Sequence, residues 1–177
     1  MLGDAVLEAA RRPEVREAVA RVYAELQQEI DTRRPRCNAS GRCCRFDEFG
    51  HRLYVTTIEL AAFVSDLSTQ PELPDSTGCP FQLNGLCGVH PIRPFGCRIF
   101  FCDATSDDWQ QIHYERFHGQ LKRLHEELKV PYRYLEWREA LNELGLPATA
   151  SPKQGLPIRE AARSIPAKRL SLPQLPL

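Results

Sequence analysis

The chain has no cysteine before residue 37 and none after residue 102, although it carries seven in 177 residues. It has no charge excess either. Its 23 basic side chains balance 23 acidic ones, and the pI is near 7.0. A dedicated nucleic-acid binder normally shows a basic surplus or stripe, so no nucleic-acid partner is expected. No apolar run approaches the roughly 18 residues that mark a transmembrane helix, so no membrane span is expected. The opening segment, residues 1–12, has neither a basic leader nor a long apolar core. It does not read as a secretory signal, and a cytoplasmic, reducing compartment is the expectation. Internal repeats are absent, as is a glycine-rich Rossmann fingerprint for a nucleotide. No Cys-x-x-Cys pair is intact, and His113, His118 and His125 miss the four-residue spacing of paired helical metal ligands.

What the sequence does have is a concentration of thiols. Cys37, Cys43 and Cys44 form one cluster; Cys79, Cys87, Cys97 and Cys102 form the other. Cysteine is often buried simply as a small hydrophobe. That explains one such residue better than seven in so short a stretch. A disulfide framework would leave one thiol over, and a reducing compartment disfavours it. Thiolates are soft ligands that suit zinc, copper(I) and iron–sulfur clusters. All seven cysteines are therefore candidate metal ligands.

Structural zinc sits in short paired spacings, and here only Cys97-x4-Cys102 qualifies. The wider, irregular gaps fit a larger object, and Phe81, Phe95, Ile99, Phe100 and Phe101 offer the apolar walls that shield a cluster. The expected cofactor is an iron–sulfur cluster, with zinc as the alternative. A four-thiolate cluster would leave three cysteines for packing, a second site or redox partnership. Arg42, Arg45, Arg93 and Arg98 flank the thiols and would lower their pKa values. His90, three residues after Cys87, and His51 are weaker candidates.

The surrounding chain reads as mainly α with a small β-hairpin. An irregular cysteine-rich metal centre is expected to pack between N-terminal and C-terminal helices. Residues 1–36 form the N-terminal helical segment, with apolar positions Val6, Val15, Val19, Val22, Leu26 and Ile30 on one face and a break at Pro13. Residues 37–104 form the cysteine core. Within it, residues 52–56 suggest a strand, Thr56-x-x-Glu59 a capping box, and Asn84-Gly85 a two-residue hairpin turn that brings Cys79 and Cys87 together. Residues 105–146 supply a long helix capped by Ser106, with Ile112, Phe117, Leu121, Leu124 and Leu128 as its buried stripe. A further helix is expected to start at Pro131, carry Leu135, Trp137 and Leu141, and end at Gly145. Residues 147–177 form a Pro-rich, basic tail that could dock on an acidic partner.

The combination Cys37-x-x-Ser40-x-x-Cys43-Cys44, Cys79-Pro-Phe81, Cys87-x-x-His90-x-x-Arg93-Pro94-x-x-Cys97-Arg98-x-Phe100-x-Cys102 resembles the CxxCxxCC, or YkgJ-type, cysteine-cluster family. That family is described as zinc- or iron-chelating domains, and the resemblance covers about residues 37–102. Ser40 stands where the family has its second cysteine, and His90 where an aromatic residue is common. The resemblance implies metal or cluster binding. Some family members are linked to lysine N-methylation of flagellin. Three functions follow: a cytoplasmic protein holding an iron–sulfur cluster or zinc, a protein-modifying enzyme of the methylase branch, or a zinc-stapled interaction module using helices or tail. No acid/base or nucleophile–base pair identifies a catalytic residue.

Overall fold

The computed structural model of the chain describes residues 1–67 and 78–146. Helix α1 (Leu2–Ala10) stops at Arg11, and α2 (Pro13–Arg33) restarts at the proline. Proline is tolerated there because the first helical N–H has no intrahelical partner to lose. Val15, Val19, Val22, Leu26 and Ile30 are all buried, as their spacing predicts. After a single 3-10 turn at Arg42–Cys44 come α3 (Phe46–Phe49), β1 (Tyr54–Thr56) and α4 (Thr57–Asp66). Then follow β2 (Gln82–Leu83), β3 (Leu86–Cys87), α5 (Phe95–Ile99), α6 (Asp107–Glu127), β4 (Tyr134–Glu136) and α7 (Trp137–Glu143). Helices α1 and α2 lie on α4, and α6 lies on α2. Among the described residues, no helix is long and apolar enough to cross a membrane.

The architecture is mainly helical but holds two small antiparallel sheets, β1–β4 and β2–β3, where one hairpin was expected. The β2–β3 hairpin turns at Asn84 (φ 49°) and Gly85 (φ 79°), with Leu83 opposite Leu86 and Gln82 opposite Cys87. Two consecutive positive φ values are what the twist-matched two-residue turn requires. The other sheet pairs Tyr54 with Glu136, Val55 with Leu135 and Thr56 with Tyr134. It overturns the expected helix start at Pro131: residues 130–133 are irregular, β4 follows, and α7 begins only at Trp137. Local propensity was overridden by a partner strand some 80 residues away, secured by Trp137 N–H donating to Leu53 O at 2.8 Å.

Other expectations shift as well. Ser106 precedes α6 without capping it through its side chain; Asp103 instead accepts from Thr105 N (3.1 Å) and Ser106 Oγ (3.2 Å). Ile112 is 65% exposed, so the buried stripe of α6 starts at Phe117 and Leu121. Gly145 (φ 69°) does end α7. The expected basic tail, residues 147–177, lies outside the described residues.

One buried carboxylate joins three of the helices. Glu59, 3% exposed, accepts from Thr56 N and Thr56 Oγ1 (both 2.9 Å), from Phe95 N (3.0 Å) and from Tyr23 OH (3.3 Å). The capping box at the head of α4 thus also binds α2 and the first turn of α5. Burial raises the Glu59 pKa and its four hydrogen bonds oppose that rise. A carboxyl raised above its unfolded value contributes most below about pH 4.3, and that contribution is lost as pH climbs through the raised value. Glu59→Ala is expected to destabilise the fold by about 3 kcal/mol or more, because several buried donors are orphaned at once. Glu59→Gln should cost less and should flatten the pH dependence above the unfolded value, as urea unfolding at a series of pH values will show.

Candidate thiol site

Two loops meet at the site, one ending in the Cys43-Cys44 turn and the other carrying Cys79 and the β2–β3 hairpin. Their contact is made by backbone: Cys79 N–H donates to Cys44 O at 2.7 Å. Gln82 Nε2 adds bonds to Gly41 O (3.0 Å) and Gly85 O (3.1 Å). Gly41 has φ +67°, and a Cβ there would stand 1.9 Å from Gly85 O. No side chain fits, so the glycine is what lets the hairpin turn press against the first cysteine loop.

This contact brings four thiols together. Cys44, buried, lies near enough to Cys43, Cys79 and Cys87 for the four thiols to shift one another's ionisation. As the common donor it is held protonated, its pKa raised by those three partners and by burial. Donation from Cys44 is the main cause that brings Cys43 down to about 6, against the effect of burial and with help from the Arg93 guanidinium. Cys87 comes down to about 7 for the same first cause, aided by the Val89 N–H and again by Arg93. Cys79 is lowered too, by Cys44 and then by Phe81 N–H and the Trp137 indole. The indole Nε1 is buried without a hydrogen-bond partner, near enough to Cys79 to favour its thiolate. Cys43 and Cys87, both half-buried and in the field of Arg93, are the two best placed to ionise.

Arg93 is itself held in place. Its backbone carbonyl accepts from Arg98 Nε (2.8 Å), and Arg98 also donates to Pro91 O (2.7 Å) while lying 4.3 Å from the Tyr23 ring centroid. The Arg93 side chain contacts His90 Nε2, and its own Nε is buried without a partner.

The remaining candidates stand apart. Cys97, on α5, forms no thiol hydrogen bond; burial and then the negative charge of Cys79, Cys87 and Cys43 push its pKa well up. Cys37 and Cys102 are exposed. Ser40 is exposed and offers its carbonyl to Arg45. His51 donates through Nε2 to Cys43 O (3.2 Å) and stacks on Phe100. All seven cysteines are free thiols.

Among the described residues, no group of three or more His, Cys, Asp or Glu side chains is arranged to hold a metal ion. The expected iron–sulfur cluster or zinc, and with it a cysteine-rich metal centre at the heart of the fold, is corrected on that finding. The physical reason lies in the arrangement: Cys37 and Cys102 are exposed, Cys97 sits on α5, and the described thiols do not converge as a ligand set. Sequence reasoning placed the thiols in one region but did not single out Cys44 as hub, because vicinal cysteines give no signal of which one turns inward.

Beside Cys43 opens a cavity of about 290 Å³. Its walls include Phe46, Leu53, Tyr54, Ile99, Phe100 and Tyr114, with Cys43 and Cys97 also on the lining. Asp107, Gln110 and Gln111 of α6 contribute to it and were not anticipated; nothing in the spacing of α6 links them to residues 43–54.

The thiol site makes a direct prediction. Alkylation of Cys43 by iodoacetamide is expected to follow a pH profile with its midpoint near 6, about two to three units below an ordinary thiol. Gly41→Ala, which forces the two loops apart, should move that midpoint back up. The lowered thiols contribute stability above the unfolded thiol value, near 8.5, and lose it as pH falls through about 7 and then about 6.

No known family model, curated protein or solved structure matches this chain. The resemblance to CxxCxxCC proteins is therefore not upheld: Ser40 interrupts the motif, no family model supports it, and the arrangement that would chelate a metal is absent among the described residues. The methylase and zinc-stapled readings lose their support with it.

Proposed function

We propose that the chain is a thiol–disulfide redox protein whose working pair is Cys44 and Cys87, drawn from two loops and joined through sulfur. The observation that carries this reading is the loop junction itself, where Cys79 N–H donates to Cys44 O at 2.7 Å and Gln82, opposite Cys87 in the hairpin, bonds to Gly41 O at 3.0 Å, so that Cys44 and Cys87 influence each other's ionisation. Thiols already neighbours need little backbone movement to bond. In a reducing compartment such as the cytoplasm the pair rests as a dithiol, and disulfides there are typically transient and catalytic or redox-sensing.

The chemistry balances with a low-molecular-weight disulfide as oxidant. The Cys87 thiolate attacks one sulfur of that disulfide and expels one thiolate, leaving a mixed disulfide on Cys87. The expelled substrate thiolate, a stronger base than the Cys43 thiolate, takes the proton of Cys44. The freed Cys44 sulfur attacks the Cys87 sulfur and expels the second substrate thiolate. The substrate disulfide gains two electrons, the Cys44–Cys87 pair loses them, and the proton leaves on the first substrate thiol. An attacking thiol with a pKa close to ambient pH is the most effective, which suits Cys87 at about 7. Arg93 stabilises the attacking thiolate as a positioned cation.

Treatment of the reduced protein with glutathione disulfide, followed by peptide mapping, tests this. A Cys44–Cys87 crosslink is expected, and Cys44→Ser should trap a mixed disulfide on Cys87. Mixed disulfides confined to the exposed Cys37 and Cys102, with no Cys44–Cys87 link, would overturn the reading. The crosslink closes a loop of about 40 residues, so the oxidised form should be more stable by up to about 4 kcal/mol in chemical denaturation.

A further inference from the structure

The cavity at Cys43 has a chemistry that the redox reading does not use. It is walled by rings: His51 stacks on Phe100 (centroids 5.2 Å apart) and meets Phe46 edge-on, while Tyr54 and Tyr114 close another side. Phe100 and Tyr54 each stack on a neighbour, His51 and Tyr134, and are each 40% exposed, so part of each ring is open to an occupant. Several acceptors are among the polar groups on the lining. His51 uses its Nε2 hydrogen on Cys43 O, which leaves Nδ1 as an acceptor. Asp107 Oδ1 receives only a long 3.5 Å bond from Gln110, and among the described residues no cation pairs with Asp107. The Cys43 sulfur adds another acceptor. Arg52 is the opposing charge on the lining.

We propose that this cavity binds a small molecule made of an apolar ring and a protonated amine, with the ring between the aromatic walls and the amine directed to Asp107. Ring faces attract cations through their quadrupole, and a carboxylate that no cation pairs with among the described residues completes the charge match. A volume of about 290 Å³ accommodates a single- or double-ring compound but not a large cofactor. The ligand would cover Cys43, so its binding is coupled to that thiol. The site itself does not depend on whether the thiols cycle, because binding is read on the fully reduced protein.

Tryptamine and indole-3-propionate are matched probes: same ring, same two-carbon arm, opposite charge. Calorimetric titration of the reduced full chain is expected to show saturable tryptamine binding about tenfold tighter than indole-3-propionate. Asp107→Asn should remove most of that preference while leaving the ring-driven component. Gln111→Trp, an exposed change at the cavity mouth, should weaken both ligands. Tryptamine should also slow iodoacetamide labelling of Cys43 and leave Cys37 labelling unchanged. Tighter binding of the acid would show that Arg52 governs the cavity and would overturn the proposal. So would the absence of saturable tryptamine binding at millimolar concentration, or binding that leaves Cys43 labelling untouched. A normal far-UV circular dichroism spectrum for each variant separates these outcomes from misfolding.

Discussion

The Glu59 carboxylate is the constraint on which the rest depends. It begins as a local device, the third residue of a capping box at the head of α4. Its remaining lone pairs then reach Tyr23 on α2 and the first N–H of α5. A buried carboxylate survives only when its lone pairs are satisfied, so each of these donors is held to a fixed position. The consequences run outward. With α5 fixed, Arg98 lies over Tyr23 and grips the carbonyls of Pro91 and Arg93. Arg93 is thereby delivered to the thiols of Cys43 and Cys87, whose ionisation it favours.

A second constraint acts from the other side. The type of turn encoded by Asn84-Gly85 makes a narrow hairpin, and Gly41 leaves room for that hairpin to touch the first cysteine loop. A backbone hydrogen bond from Cys79 to Cys44 and the Gln82 side-chain amide on Gly41 O then set the spacing between the two cysteine loops. This matters for chemistry because thiol–thiol contact is short-ranged. A movement of an ångström or two at the loop junction would weaken the hold of Cys44 on the ionisation of Cys43 and Cys87. Phe63, Phe81 and Trp137 support the junction from beneath, meeting edge-on and at tilted angles.

The divergence between expected metal centre and observed thiol hub has a definite origin. Sequence can show that thiols are numerous and near one another along the chain. It does not show whether their sulfurs surround a vacant point or crowd about one of their own number. The adjacent pair Cys43-Cys44 decided the matter here. In the 3-10 turn one of them turns inward to the hub and the other lies half-exposed beside the cavity, and their acidities diverge accordingly. The same limit applied to β4. Tyr134–Glu136 carries no strong strand signal of its own, and its state followed from pairing with β1.

Local chemistry was sufficient for the features whose causes are local. The restart of α2 at Pro13, the Thr56–Glu59 capping box, the Asn-Gly hairpin and the Gly145 terminus each rest on steric or hydrogen-bonding rules that act over a few residues. The sequence by itself also determined that the reactive side chains would be cysteines gathered in the middle of the chain. Only the tertiary structure decided which sulfurs meet, that Glu59 serves three helices and not one, and that α6 closes an aromatic cavity over Cys43. These depend on contacts between segments far apart in the chain, whose geometry is set by the packing of the whole domain and leaves no periodic trace in any one segment.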